Sequence, residues 1–228
     1  MSNHPYDRPN PPASLGVTRS RHAARHGEVG TELGDWLQSR VLGLADEWAA
    51  EIKVRGMGHA TVVDEIVARQ VLQLSSMMPW LLGRHATPLQ PLWSRACELF
   101  GAVAAKRGLA AGEVVEEFQI LRVLIIRELY QDPLVGGAPT LRDALRLNGI
   151  VDRGVTHASV GHTDAMFFQL LEDSDAPVGL SADQIAREAE AQLVLIREEV
   201  EAIVGPGEIP LEAAAESWTS VDGGAADA

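Results

Sequence analysis

Residues Leu99 to Tyr130 read LFGAVAAKRGLAAGEVVEEFQILRVLIIRELY, and this stretch decides the fold. Its second half carries apolar side chains at helical spacing over most of the circumference of a helix. Gly108 and Gly112 interrupt the pattern just before it, which predicts a helix, a short turn and a second helix. We expect other helices to enclose that second helix largely, so its charged side chains must be paired.

Apolar residues at helical spacing also precede this stretch. They predict one helix over 31–55, with Thr31 as its N-cap, and a second over 61–74. Pro79 should end or kink the second helix, because proline lacks the backbone N–H that an inner helical turn needs. A further helix is predicted to begin at Thr87 and to lead into the opening stretch.

The chain after Tyr130 predicts one long helix over 141–171. Thr140 and Asp143 form a capping-box variant ahead of it. Its apolar face should include Phe167, Phe168 and Leu171. Three glycines should weaken or bend this helix: Gly149, Gly154 and Gly161. About six helices are therefore predicted between residues 31 and 171.

Composition agrees with an all-α protein. The 228 residues are 46% hydrophobic but only 5% aromatic, which suits one well-buried helical domain with tails. The single cysteine, Cys97, excludes an internal disulfide and suits a reducing cytoplasm. We expect no signal peptide and no membrane span, because no apolar run is long enough for either.

A last amphipathic helix is predicted within residues 172–205. Ser181 and Gln184 form a capping box, and four apolar residues then recur at steps of three and four. We interpret this seam as a homodimer interface, and the alternative is that it folds back on the domain. The seam consists of Leu193, Ile196, Val200 and Ile203.

The two ends of the chain are predicted to be disordered. The proline-rich arm 1–30 cannot hold a regular helix at its start, and 206–228 form an acidic tail. Of the net charge of −13, most lies after residue 171, where two arginines face 14 acidic residues. Such a segment repels phosphate backbones, so we expect no nucleic-acid partner.

One pattern of residues in the middle of the chain carries a family resemblance. It consists of Arg107, Gly108, Glu117, Phe118, Leu121 and Arg122, with Trp48–Ile52 upstream and Asn148–Asp152 downstream. The pattern resembles that of the RsbR-type N-terminal sensor domain, a haem-free relative of the globins in bacterial stressosome proteins and some sensor histidine kinases, over about residues 31–171. The histidine common in the family is absent from the helix before the glycine turn, near Phe100 and Gly101, and the expected Leu-Pro-x-Leu-Leu segment is altered at 78–82.

The resemblance implies a globin-like helical bundle that acts in bacterial signal regulation without catalysis, as a homodimer with an unidentified protein partner. It also makes a structural polar network of Glu117, Arg122 and Asp152 plausible. Haem is not expected, and His85 is the only fallback haem ligand. The resemblance leads us to expect an output domain after such a sensor, and none is recognised in these residues, so we expect signalling in trans through the acidic C-terminal helix or other surfaces.

Other candidate sites are weaker. Met77, Met78 and Trp80 beside Pro79 are a possible small-molecule pocket, although such residues more often fill an irregular core. His22 and His26 share a helical spacing but have no further ligand, so no metal site is predicted. No nucleophile or phosphate-binding motif was found, and we expect no enzyme. The alternatives are a small-molecule or haem-binding sensor and a structural subunit of a larger assembly.

Overall fold

The computed structural model describes residues 32–55, 61–131, 137–172 and 182–206. Every regular element in these ranges is a helix, which confirms the all-α prediction. The helices are α1 (32–38), α2 (Val41–Arg55), α3 (Thr61–Leu81), α4 (Ala86–Lys106), α5 (Ala111–Gln131), α6 (Leu141–Glu172) and α7 (Ala182–Val204).

The described residues between 31 and 171 form six helices, against about six predicted, but the first helix differs from its prediction. The single helix expected over 31–55 is divided by a turn at residues 39 and 40. There the Ser39 hydroxyl donates to the Trp36 carbonyl at 2.7 Å, and the Arg40 N–H donates to the Leu37 carbonyl. Serine bonding to nearby backbone competes with the regular helical ladder, so the chain turns between α1 and α2.

Helix α4 lies at the centre of the bundle. It packs most extensively on α6, and also on α3 and α7, and it touches α5. Helix α2 packs on α3 and α5, α5 packs on α6, and α3 packs on α7. The C-terminal helix therefore belongs to the same packed bundle as the others.

Glycines let α4 and α6 cross with their backbones in contact. A Cβ on Gly101 would lie 1.9 Å from the Ala158 carbonyl oxygen, and one on Gly161 would lie 2.0 Å from that of Glu98. A Cβ on Gly154 would lie 2.6 Å from the Phe118 ring. The three glycines predicted to weaken or bend α6, Gly149, Gly154 and Gly161, do not divide it, because α6 runs from Leu141 to Glu172, and two of them serve close packing.

An aromatic cluster joins α2, α4 and α5. The ring centroids of Trp48, Phe100 and Phe118 lie 5.4 to 5.8 Å apart, and all three side chains are buried. The Trp48 indole N–H donates to the Glu117 carbonyl at 2.7 Å, so its one polar atom is satisfied inside the core. This cluster holds the N-terminal half of α5 against the rest of the bundle.

Helix α5 is not the enclosed helix that the sequence predicted. It buries one face, whereas Val123 and Tyr130 are each more than 60% exposed. The enclosed helix is α3, in which every residue from 70 to 79 is buried. Apolar residues on most sides of α5 therefore do not mean that other helices enclose it.

None of the described helices is both long and apolar enough to cross a membrane. The predictions for residues 1–30, for most of 206–228 and for His22 and His26 lie outside the described residues. So does Ser181 of the capping box predicted before α7. The Thr140 capping box is confirmed, because Thr140 and Asp143 exchange side-chain hydrogen bonds with each other's backbone N–H at 3.0 and 3.2 Å.

Candidate functional site

Arg107 and Glu117 form a buried ion pair at the turn between α4 and α5. The Arg107 Nη1 to Glu117 Oε1 distance is 3.1 Å, and both side chains are less than 10% exposed. Gly108 has φ +82°, and the Leu109 N–H donates to the Ala104 carbonyl, which closes α4 with a Schellman turn. Glycine is needed at this left-handed position to aim Arg107 back at α5.

The predicted network of Glu117, Arg122 and Asp152 is divided in the structure. Arg122 donates to Asp152 of α6, so these two members of the predicted network lie together. Glu117 instead pairs with Arg107. The two pairs differ in environment, because the Asp152 side chain is mostly exposed whereas Glu117 is buried.

The residues of the predicted pocket are packed into the core. Met77 and Met78 are almost completely buried, so they fill the core rather than line a pocket. Trp80 packs partly against the core and edge-on to His85. His85 lies in the turn before α4, where its Nε2 accepts a hydrogen bond from Arg84 Nε at 2.9 Å.

The predicted dimer seam is buried within its own chain. Leu193, Ile196 and Val200 belong to the main core, and Ile203 packs against it. The prediction that this seam forms the dimer interface is therefore wrong for the structure described. The alternative given with it, folding back on the domain, is what α7 does.

Ser94, Glu98 and His157 form a hydrogen-bonded cluster that the sequence did not predict. His157 Nε2 lies 2.8 Å from Ser94 Oγ, and its Nδ1 lies 2.9 Å from Glu98 Oε1. Ser94 and Glu98 are four residues apart on α4 and share the face that meets α6. The four-residue spacing is visible in the sequence, whereas the pairing with a residue of α6 is not.

The geometry of this cluster suits a tie between helices better than a nucleophile. Its atoms are ordered as in a serine, histidine and carboxylate triad, but Ser94 Oγ also donates to the Gln90 carbonyl at 3.1 Å. The Ser94 hydroxyl has one proton, and because it donates that proton to Gln90 it does not donate to His157 as the serine of a triad would. The backbone amides around Ser94 are bonded within α4, so they are not free to stabilise an oxyanion.

The C-terminal end of α6 projects from the bundle and is the largest feature that the sequence did not predict. No residue from 163 to 171 is buried, and Asp164 carries the only charge among them. The predicted apolar face placed Phe167, Phe168 and Leu171 inward, and that prediction is wrong. The exposed apolar side chains, which we call the α6 tip, are Met166, Phe167, Phe168, Leu170 and Leu171.

The α6 tip is apolar on several sides. Residues in a helix follow one another by about 100°, so Met166, Phe167 and Phe168 already point in three directions. The Phe167 and Phe168 rings contact each other with centroids 6.2 Å apart. The sequence signal for this site is AMFFQLL at 165–171, which lacks the polar face of an ordinary surface helix.

The titratable groups of the described residues offer little redox or metal chemistry. Burial, and then the neighbouring Glu98 carboxylate, raise the pKa of the Cys97 thiol well above its ordinary value. A thiol in that state is a poor nucleophile, because the thiolate is the reactive form. Within the described ranges, no group of three or more His, Cys, Asp or Glu side chains is placed to hold a metal ion.

Comparisons with known proteins return no relative of this chain. No family model matches it, and no curated protein or solved structure matches it either. The function must therefore be argued from the geometry of the chain.

Proposed function

We propose that the chain is a sensory or scaffolding module of bacterial signal regulation that acts by dimerisation and partner binding rather than by catalysis. The resemblance to RsbR-type sensor domains suggests this class, and the α6 tip supports it. Five large apolar side chains there stand in water on a helix end that no other described helix covers. Contiguous exposed apolar patches on a folded domain mark interaction sites.

A second copy of the chain is the occupant that best fits the α6 tip. In a two-fold dimer the same patch meets itself, so an almost uncharged tip brings no like charges together. Phenylalanine and methionine are also among the residues enriched at interface cores. Because the tip is apolar on several sides, one packed helix covers only part of it, and a symmetric pair of tips covers more.

The test is the mass of the full chain in solution. By light scattering we expect the wild-type chain to have twice the monomer mass of 24.5 kDa. The double substitution Phe168→Asp with Leu171→Asp should give the monomer mass, because it places charges inside the contact. Both substituted residues lie beyond the bundle, so the helical content should not change, whereas the unfolding midpoint should lose its dependence on chain concentration.

Val123→Asp is the matched control. Val123 is about as exposed as Phe168, but it lies on α5, away from the tip. It should leave the mass of the dimer unchanged. A wild-type chain that stays monomeric at all concentrations, or a dimer that survives Phe168→Asp with Leu171→Asp, contradicts the proposal.

A further inference from the structure

Helix α7 lies in a groove between α3 and α4, the two helices on which it chiefly packs. The side chains that it buries there are small or aliphatic. The seam that faces the groove consists of Ile185, Ala186, Ala189, Leu193, Ile196 and Val200.

The rim of this groove is basic and the flanks of α7 are acidic. Arg95 Nη1 lies 2.8 Å from Glu199 Oε1, and Lys106 Nζ lies 2.9 Å from Glu188 Oε2. On the other rim, Arg69 Nη1 of α3 lies 2.8 Å from Glu190 Oε2 of α7. This contact is an ion pair without hydrogen-bond geometry. Partly exposed ion pairs of this kind contribute more to the choice of a charged partner than to the free energy of binding it. Salt weakens them by screening.

The floor of the groove is polar. Gln73 and Ser76 follow Arg69 by four and seven residues, so they share the side of α3 that Arg69 turns toward α7. Both side chains are more than nine-tenths buried, and Gln73 Nε2 and Ser76 Oγ have no hydrogen-bond partner among the described residues. Gln70, one turn earlier, is buried and unpartnered in the same way.

The seam of α7 does not satisfy this floor. Arg69 pairs with Glu190, and α7 runs parallel to α3 because both are antiparallel to α4. Counted along the two parallel helices from the Arg69–Glu190 pair, residue 73 comes level with residues 193 and 194, of which Leu193 is the buried one. An aliphatic side chain leaves the Gln73 amide without a partner, which weakens the docking of α7. Helix α7 thus matches the charges of the rim but not the polar atoms of the floor.

We infer that α7 is a displaceable occupant of this groove, and that the groove receives an acidic amphipathic helix of a partner protein with an amide or hydroxyl side chain opposite Gln73. The acidic flanks follow from the basic rim, and the polar residue follows from the unpartnered floor. The inference rests on the proposed function only in requiring a protein partner. It uses a surface different from the α6 tip.

The experiment measures the binding of fluorescent peptides to the full chain by anisotropy. The first peptide has the sequence of residues 182–204, the second carries Leu193→Gln, and the third carries Glu188→Gln, Glu190→Gln and Glu199→Gln. Leu193→Gln removes a buried leucine as well as adding an amide, so the informative quantity is the ratio of the affinities of the second and first peptides. We expect this ratio to be about threefold or more higher for the wild-type chain than for a Gln73→Leu chain, which is the range of one hydrogen bond. The third should bind about tenfold more weakly than the first at low salt, because three ion pairs are lost.

Two variants of the chain test the displacement itself. Leu193→Asp with Ile196→Asp should release α7 and raise the affinity for all peptides by about tenfold or more, since the peptide no longer competes with α7. A milder chain, with Glu190→Gln and Glu199→Gln, leaves the core unchanged and should raise the affinity less. Gln73→Leu should lower the ratio of the affinities of the second and first peptides, whereas Gln119→Leu, a change on α5, should leave that ratio unchanged.

Several results would overturn the inference. They are an affinity ratio of the second and first peptides that Gln73→Leu does not lower, a third peptide that binds as tightly as the first, or no gain in affinity from either loosened chain. A loosened chain that excludes the peptides and instead forms a new dimer would assign the groove to a second copy. Peptide binding reports on the groove, whereas the mass of chains altered at Phe168 and Leu171 reports on the α6 tip, so the two proposals can fail separately.

Discussion

Helices α3 and α5 each contain 21 residues and are rich in aliphatic side chains, yet they occupy opposite environments. Helix α3 is surrounded by α2, α4 and α7, and its residues 70–79 are all buried, glutamines and serines included. Helix α5 packs mainly on α2 and α6 and leaves one side in solvent, where Val123 stands exposed.

This difference shows that the number of neighbours, rather than the composition of a helix, decides what is enclosed. Exposed aliphatic residues are ordinary on protein surfaces, so Val123 does not require a cover. A buried glutamine is the more informative observation, because its unpaired amide carries a cost. The helix with the more polar interior is therefore the better place to look for function.

The largest expected effect on the free energy of unfolding comes from Glu117, the buried charged residue of α5. Glu117→Ala leaves the Arg107 guanidinium buried without that carboxylate, and should lower the free energy of unfolding by about 3–5 kcal/mol. Denaturant unfolding followed by circular dichroism measures this. Arg122→Ala is the matched control on the same helix, and should cost at most about 1 kcal/mol because its partner Asp152 is mostly exposed. Equal losses for both would show that burial does not separate the two pairs.

The next effect compares side-chain truncation in the two helices directly. Met77→Ala in α3 should lower the free energy of unfolding by about 2–5 kcal/mol, because it opens a cavity in a filled core. Val123→Ala in α5 should change it by less than about 0.5 kcal/mol. The same denaturant titration measures both. A large loss at Val123 would mean that the outer side of α5 is covered in solution.

Much of the fold follows from local signals in the sequence. The bounds of α6 and α7 were predicted within a residue or two, because the Thr140 capping box and the Gly205 after α7 are local features. The turn at residues 39–40 was not predicted, because it depends on the Ser39 hydroxyl donating a hydrogen bond to a backbone carbonyl rather than to water.

The candidate sites depend on contacts between distant residues, and the sequence alone could not supply these. Gly161 reads as a helix breaker until the Glu98 carbonyl is known to lie against it. The spacing of Leu193 and Ile196 is equally consistent with a dimer interface and with a position in the core, because both environments favour the same aliphatic side chains. The α6 tip was hidden for the same reason, as Phe167 and Phe168 resemble core residues.

A smaller effect of opposite sign is expected at Gln73 of α3. Gln73→Leu removes a buried amide nitrogen that has no partner among the described residues, so the chain should be unchanged or more stable by up to about 1 kcal/mol. Gln119→Leu, at a half-buried position of α5, should stay within about 0.5 kcal/mol of the wild type. Thermal and denaturant unfolding report the change. A loss of stability at Gln73 would indicate that its amide is satisfied in solution.

The smallest effect concerns α4, which contacts both helices. Because the pKa of the Cys97 thiol is raised in the folded state, the unfolded chain loses this proton first as the pH rises. The folded state then binds more protons, so the free energy of unfolding should decline above the ordinary thiol pKa of about 8.5. Cys97→Ala should remove that part of the decline. Rapid reaction of Ellman's reagent with the native chain would contradict the burial of the thiol.

The glycine crossing of α4 and α6 also has a mechanical consequence. At Gly101 and Gly161 the two backbones touch, which leaves no layer of side chains to absorb a relative movement. Beyond this crossing point α6 continues as a rigid arm for about ten residues, or about 15 Å. A force applied to the free end of that arm would turn α4 with it, and α4 is the helix against which most of the others rest.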